Sequence, residues 1–253
     1  MEFVSYSIDL ILILFIVGVV AGIIDTLAGV GGLIALPALM LTGIPPIQAL
    51  ATNKIQSVIG TGTATTMMIR YQKIKIKDII FLMITALVFS LIGTIIIQFF
   101  ETESLEIIIP LVLLIILIFF LFSKSFNKID AVPRLSKKYY NLFIVPFIGL
   151  YDGMFGPGTG SFFTTSGISM RGYNLINATA VAKALNFSTN IGAVIIFVYL
   201  DQVVWTLGIS MIIGQFIGAR IGSRVLIKIN PSYLRVVVII LCSLMLIKYI
   251  MSL

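Results

Sequence analysis

The chain has no histidine, a single cysteine (Cys242), and charge on only 11% of its 253 residues. Each shortage excludes something. Without histidine, the usual imidazole metal ligand and the usual proton carrier near neutral pH are both missing. One cysteine closes no internal disulfide, and in an apolar run it reads as packing filler. A soluble domain carries about 25% charged residues, more than twice what is found here. No metal-ligand cluster, cofactor motif or nucleophile triad is visible, so no enzyme, no metal and no cofactor are expected. The net charge of +7 does not point to nucleic acid. The basic residues sit in short loops between apolar runs, where membrane topology accounts for them.

What is present is hydrophobic sequence, 59% of the chain. Runs long enough to cross a bilayer fill most of it, which predicts a polytopic helical membrane protein. The first run, Ile8–Ile24, follows Glu2 and no lysine or arginine, so it is expected as a retained helix and not a cleaved leader. Spans are expected at Ile8–Leu27, Ile47–Ile69, Ile79–Phe99 and Leu105–Phe122. Further on they are expected at Leu142–Leu150 leading to Asp152, then Asn174–Val198, Val203–Ala219 and Tyr233–Leu253. Two shorter segments, Gly31–Thr42 and Gly158–Met170, follow glycine-rich turns. Twelve or so helical residues cover only about 18 Å, less than the roughly 30 Å hydrocarbon core.

The chain also repeats itself. Gly22-Ile-Ile-Asp25-Thr-Leu-Ala-Gly29-Val-Gly31 returns 127 residues on as Gly149-Leu-Tyr-Asp152-Gly-Met-Phe-Gly156-Pro-Gly158. Ala49-Leu-Ala-Thr-Asn-Lys54 returns 129 residues on as Ala178-Thr-Ala-Val-Ala-Lys183. Duplicated halves with glycine-broken segments in matching places are the mark of a secondary transporter. The expected layout is a first repeat over 1–123, a basic linker over 124–140 and a second repeat over 141–253.

About five segments per half is an odd number, so the second half should run inverted. Loop charge agrees. Arg70, Lys73, Lys75 and Lys77 fill one loop, and its counterpart near Asp201 has no basic residue. Glu101, Glu103 and Glu106 map onto a stretch with Arg220, Arg224, Lys228 and Arg235. The uncharged turn at Thr42 maps onto the basic one at Arg171. Basic loops mark the cytoplasmic side, which puts the linker in the cytoplasm and both termini outside.

Charges within apolar spans are costly, and four stand out: Asp25, Lys54, Asp152 and Lys183. One reading is an ion-paired lock for the bundle. The other is a substrate site, with the lysines attracting an anion. Gly29, Gly31 and Gly32, with Gly156, Gly158, Thr159 and Gly160, form turns that open the two short helices. Helix starts carry partial positive charge and free N–H groups, so two facing starts would cradle an anion; close packing through small residues is the competing account. Asn53, Gln56 and Asn186 are the candidates for orienting oxyanion oxygens. Asp25 or Asp152 is the candidate coupling-proton carrier, because burial of a carboxyl favours its neutral form. The second turn follows no strand and lacks the Lys-Ser/Thr ending of a nucleotide loop.

At these residues the chain resembles the sulfite exporter TauE/SafE family. The matching stretches are residues 22–39, 49–56 and 149–161, within a two-half layout that covers nearly the whole chain. Where many relatives read four glycines, the first turn here reads Gly29-Val-Gly31-Gly32. The resemblance implies export of sulfite, sulfonates or related small organosulfur anions across the plasma membrane. The expected partners are therefore a small anion and the lipid bilayer, with a homo-oligomer left open. A passive anion channel is the alternative function.

Overall fold

The computed structural model describes residues 6–122 and 132–226, with positions 240, 243, 244 and 251. The expected span Tyr233–Leu253, Cys242 and much of the linker lie outside the described residues.

The described part is helical. In the first half, α1 (Ile8–Ala28), α2 (Gly32–Met40), α3 (Pro46–Arg70), α4 (Ile76–Ile97) and α5 (Thr102–Phe122) follow one another through short turns. In the second half, a single turn α6 (Lys137–Tyr139) runs through a π-turn (Tyr140–Ile144) into α7 (Val145–Met154). Then come α8 (Thr159–Arg171), α9 (Leu175–Tyr199) and α10 (Trp205–Leu226). The expected spans agree with these to within a few residues, except at three ends. Helix begins at Lys137, inside the stretch assigned to the linker, and the segment before Asp152 is longer than Leu142–Leu150. Val203–Ala219 is extended to Leu226. The π-turn has a local cause. Pro146 offers no N–H, and its ring would press on the carbonyl four residues back, so the helix widens just before it.

Five of these helices, α1, α4, α5, α9 and α10, are long and apolar enough to cross a membrane. The molecule is apolar outside, and its apolar interior encloses a polar centre. Ile13 and Ile16 on α1, Phe81 and Ile84 on α4, Ile107 and Leu111 on α5, and Ile213 on α10 all face outward. Asn53, Lys54, Gln56, Lys183 and Asn190 are buried. That is the arrangement lipid requires, since hydrocarbon solvates the apolar face and leaves polar groups to satisfy each other inside.

Packing is reciprocal between the halves. α1 lies along α10 and α7 along α4, α3 touches α10 and α9 touches α4, and α3 and α9 meet at the centre. Exchanging the halves leaves these neighbours unchanged. Glycines make the contacts close. A Cβ on Gly18 would stand 2.8 Å from the Met211 carbonyl, one on Gly22 would stand 2.7 Å from that of Gln215, and one on Gly149 would stand 3.0 Å from that of Ala86. Without a hydrophobic drive between helices in lipid, such small-residue seams supply the packing.

Candidate functional site

The site forms where the two glycine turns cross between α3 and α9. α1 ends in a left-handed glycine, Gly29 at φ 74°, whose N–H bonds back to the Asp25 carbonyl at 2.6 Å. The chain then turns back, so that Gly31 lies against Asp25 and Ala21. The second turn uses Gly156 and Gly158, both at positive φ, to lead from α7 into α8. The turns touch directly. A Cβ on Gly160 would stand 2.6 Å from Gly29 Cα, and Ser161 N–H donates to the Gly29 carbonyl at 3.3 Å. Ser161 Oγ also donates to the Ala28 carbonyl. Gly29 and Gly160 therefore serve the crossing itself. Gly32 packs on Pro157, and a Cβ on Gly156 would stand 2.7 Å from Lys54 Nζ.

All four intramembrane charges meet at this crossing, and they pair across the halves. Lys54 Nζ donates to Asp152 Oδ1 at 2.7 Å. Lys183 Nζ donates to Asp25 Oδ2 at 3.0 Å and to the Asp25 carbonyl. Pairing of Lys54 with Asp25, the within-half alternative, does not occur. Lys54, Asp152 and Lys183 are each 1% exposed, so a lone member would carry an uncompensated charge. The acids also hold the helix starts. Asp25 Oδ1 accepts from the Gly31 N–H at 3.3 Å, and the Thr159 hydroxyl shares its one proton between Asp152 Oδ1 at 2.8 Å and the Gly156 carbonyl at 2.7 Å.

Beside the pairs is a cavity of about 10 Å³, room for roughly one water molecule. The turns contribute Gly29, Gly32, Gly156 and Gly158 to its wall, and α1 contributes Asp25. α3 adds Asn53, Lys54, Ser57 and Thr61, and α9 adds Asn186 and Asn190. Gly31, Thr159, Gly160, Asp152 and Lys183 are not in this lining. Gln56 is not in the lining either. Its Nε2 donates to Asn53 Oδ1 at 2.8 Å, one residue removed from the cavity.

Ser57, Thr61 and Asn190 line the cavity and were not among the expected site residues. The repeat itself carried the signal. Registered on the lysines, α3 places Lys54, Ser57 and Thr61 where α9 places Lys183, Asn186 and Asn190. Spacings of three and seven residues put each set on one helix face. In the same register Asn53 and Gln56 match Ala182 and Leu185, which have no polar group. Thr61 also bonds its own helix, donating to the Ser57 carbonyl at 2.6 Å, as expected for a threonine within a membrane helix. Gln215 on α10 is a further buried polar residue at the core, packed against Gly60 and Gly22, and nothing in the sequence distinguishes it.

Ionisable groups this deep in a lipid-facing bundle are rare and costly, and they mark solute pathways in many membrane proteins. Fold and site together define the class, a multi-pass membrane transporter. The chain belongs to the sulfite exporter TauE/SafE family, whose model matches residues 14–249. It is 38% identical to a "Probable membrane transporter protein" of Haemophilus influenzae, over 94% of each chain. It is 37% identical to "Probable membrane transporter protein ORF9" of Sinorhizobium sp, over 85% of this chain and 82% of that one. It is 36% identical to "Probable membrane transporter protein YfcA" of Escherichia coli K12, over 92% and 87%. No solved structure matches the chain.

Proposed function

We propose that the protein is a secondary transporter that exports a small sulfur-containing oxyanion, such as sulfite or a sulfonate, across the plasma membrane with proton coupling through a buried aspartate. The observation that carries this is the crossing of the two turns, where both lysines, both acids and a polar cavity converge from the two halves. The glycine turns let backbone approach a ligand closely, and α2 and α8 both begin there. Asn53, Ser57, Thr61, Asn186 and Asn190 offer hydroxyls and amides suited to oxyanion oxygens. The cavity is too small for a sulfur oxyanion, so this arrangement is the closed one and entry requires the halves to part.

A thermal-shift panel tests the ligand class. Sulfite, thiosulfate, a sulfonate, sulfate and a carboxylate are added in turn to purified protein. A sulfur oxyanion should raise the wild-type melting temperature and leave Lys54→Ala unmoved. Equal shifts in both proteins would place the ligand elsewhere, and a shift with carboxylates alone would refute the sulfur assignment.

The same reading takes the halves to be inverted about an axis in the membrane plane. Reciprocal packing and the exchange of loop charge support it. α2 has nine residues, about 14 Å, and cannot cross alone. Inversion therefore requires α2 and the loops at its ends to complete one crossing together, which keeps five crossings in each half. In a Cys242→Ser background, Lys73→Cys and Leu200→Cys should label with an impermeant maleimide from opposite faces. Labelling from the same face would refute inversion.

A further inference from the structure

The two ion pairs occupy equivalent places in the repeat, yet they are not bonded alike. Lys183 is held twice, by the carboxylate and by the carbonyl of Asp25. Both Asp25 oxygens are in use, Oδ2 by Lys183 and Oδ1 by the Gly31 N–H that starts α2. Asp152 differs. Its Oδ1 takes both Lys54 and Thr159, while Oδ2 is buried with no partner among the described residues. Lys54 makes a single hydrogen bond there, though an ammonium has three donors to offer. Each pair puts one member in the cavity wall, Lys54 from this pair and Asp25 from the other, so Lys54 is the cation that an anion there would meet. A buried carboxylate oxygen without a donor needs a reason in a structure where nearly all such atoms are satisfied.

We infer that Lys54 and Asp152 are the working pair, in which Asp152 takes up a solvent proton and frees Lys54 for the anion, while Lys183 and Asp25 are a latch that holds the crossing. This rests on the reading of the centre as an anion site and assigns its members. In the empty centre two cations face two carboxylates and the sum is zero. An anion entering alone would leave one uncompensated negative charge in the bilayer interior. If a proton from water binds Asp152 as the anion arrives, the carboxylate becomes a carboxylic acid. Lys54 then exchanges its bond to Asp152 for one to the anion. No covalent bond of the substrate changes, and one proton and one monoanion sit in a centre that is again neutral. The step is reversible and moves proton and anion the same way, so export proceeds when the outward anion gradient exceeds the inward proton gradient.

The surroundings of Asp152 favour this assignment. From α3 it faces Lys54, and from α8 the Thr159 hydroxyl. α4 presents Thr94, which bonds the Gly153 carbonyl of α7, and Ser90, whose hydroxyl donates to the Thr189 carbonyl of α9, with its charged Lys77 and Asp78 at its far end. On α9 the charged group is Lys183, already engaged by Asp25. On its own helix Tyr151 donates to the Pro157 carbonyl at 2.6 Å. Among the described residues Lys54 is thus the one cation bonded to Asp152, and the unpartnered oxygen can take a proton without breaking another hydrogen bond.

The test is proton uptake on binding, followed with a pH indicator in weakly buffered detergent solution. Methanesulfonate is the probe, because it stays a monoanion throughout the working range. Wild type should take up about one proton per anion bound. Pairs are then deleted whole, which avoids leaving a buried charge alone. Lys183→Met with Asp25→Asn should bind more weakly yet keep about one proton per anion. Lys54→Met with Asp152→Asn should fold and bind no anion. Wild-type binding without proton uptake overturns the assignment, whatever the variants do. So does uptake that survives loss of the Lys54 pair and disappears with the Lys183 pair. A wild type that binds neither methanesulfonate, thiosulfate nor sulfite overturns the anion-site reading itself, a different failure from binding without a proton.

Discussion

Proteoliposomes carrying Lys54→Ala are expected to lose anion transport by on the order of a hundredfold or more. Removing one partner of a buried charge pair costs about 2–5 kcal/mol, and each 1.4 kcal/mol is about a factor of ten. The loss has two sources that the variant alone does not separate. The anion loses its cation, and Asp152, 1% exposed, is left with a buried charge and no counter-ion. The second effect costs about 3–5 kcal/mol of stability, so yield and melting temperature should fall as well. Lys54→Met combined with Asp152→Asn removes both charges. It should restore the fold and leave transport absent. Recovery of transport in that double variant would make the pair a structural lock and nothing more. Lys54→Arg should keep part of the activity, since charge persists while shape and reach change. Lys183→Ala is also expected to fail, by stranding Asp25 in the cavity wall.

Gly29→Ala should be the most damaging of the conservative backbone substitutions. The residue sits at φ 74°, where an L side chain costs roughly 1–2 kcal/mol. Its Cβ would also meet the backbone of Gly160 and Ser161, neither of which can yield without moving α8. Overpacking of this kind adds about 1–3 kcal/mol. Gly160→Ala should behave similarly, because its Cβ would press on Gly29 Cα from the other side. Gly43→Ala is the control. It has φ 80° but nothing within 4 Å of the added atom, so it should lose only the roughly 1–2 kcal/mol of strain. Melting temperatures in detergent would rank the three. If Gly29→Ala and Gly43→Ala were destabilised equally, contact between the turns would contribute nothing to stability.

Sequence and structure agree where the information is local. Helix extents follow from apolar runs ended by glycine, proline or charge, and α1, α3, α5 and α9 begin and end within a few residues of expectation. Repetition of the Asp–Gly turn and of the lysine marked out the centre, because a motif kept at one spacing in both halves is visible without a fold. The partner of each charge was not visible. Asp25 and Lys54 are close in sequence, yet each bonds a group from the other half, 158 and 98 residues away. Which bonds form depends on how α3 crosses α9, a tertiary fact with no periodic trace. Asn53 and Gln56 both read from sequence as polar groups beside Lys54, and helix rotation separates their roles. Asn53 reaches the cavity, and Gln56 bonds Asn53. Ser57 and Asn190 were legible in principle, through the register of the two lysines. The π-turn at Tyr140–Ile144 was not, since a proline near a helix start is ordinary and gives no sign of the turn before it.

Counterflow tests most directly whether this centre works as a carrier. Proteoliposomes are loaded with unlabelled sulfonate at high concentration, diluted, and given a trace of labelled sulfonate outside. A carrier whose site faces one side at a time returns loaded from the inside, so label should rise transiently above its equilibrium level and then decay. Wild type should show this overshoot and Lys54→Ala should not. Label that climbs steadily to equilibrium with no overshoot, at a rate unaffected by the internal load, would contradict the carrier account and establish a passive anion channel in its place.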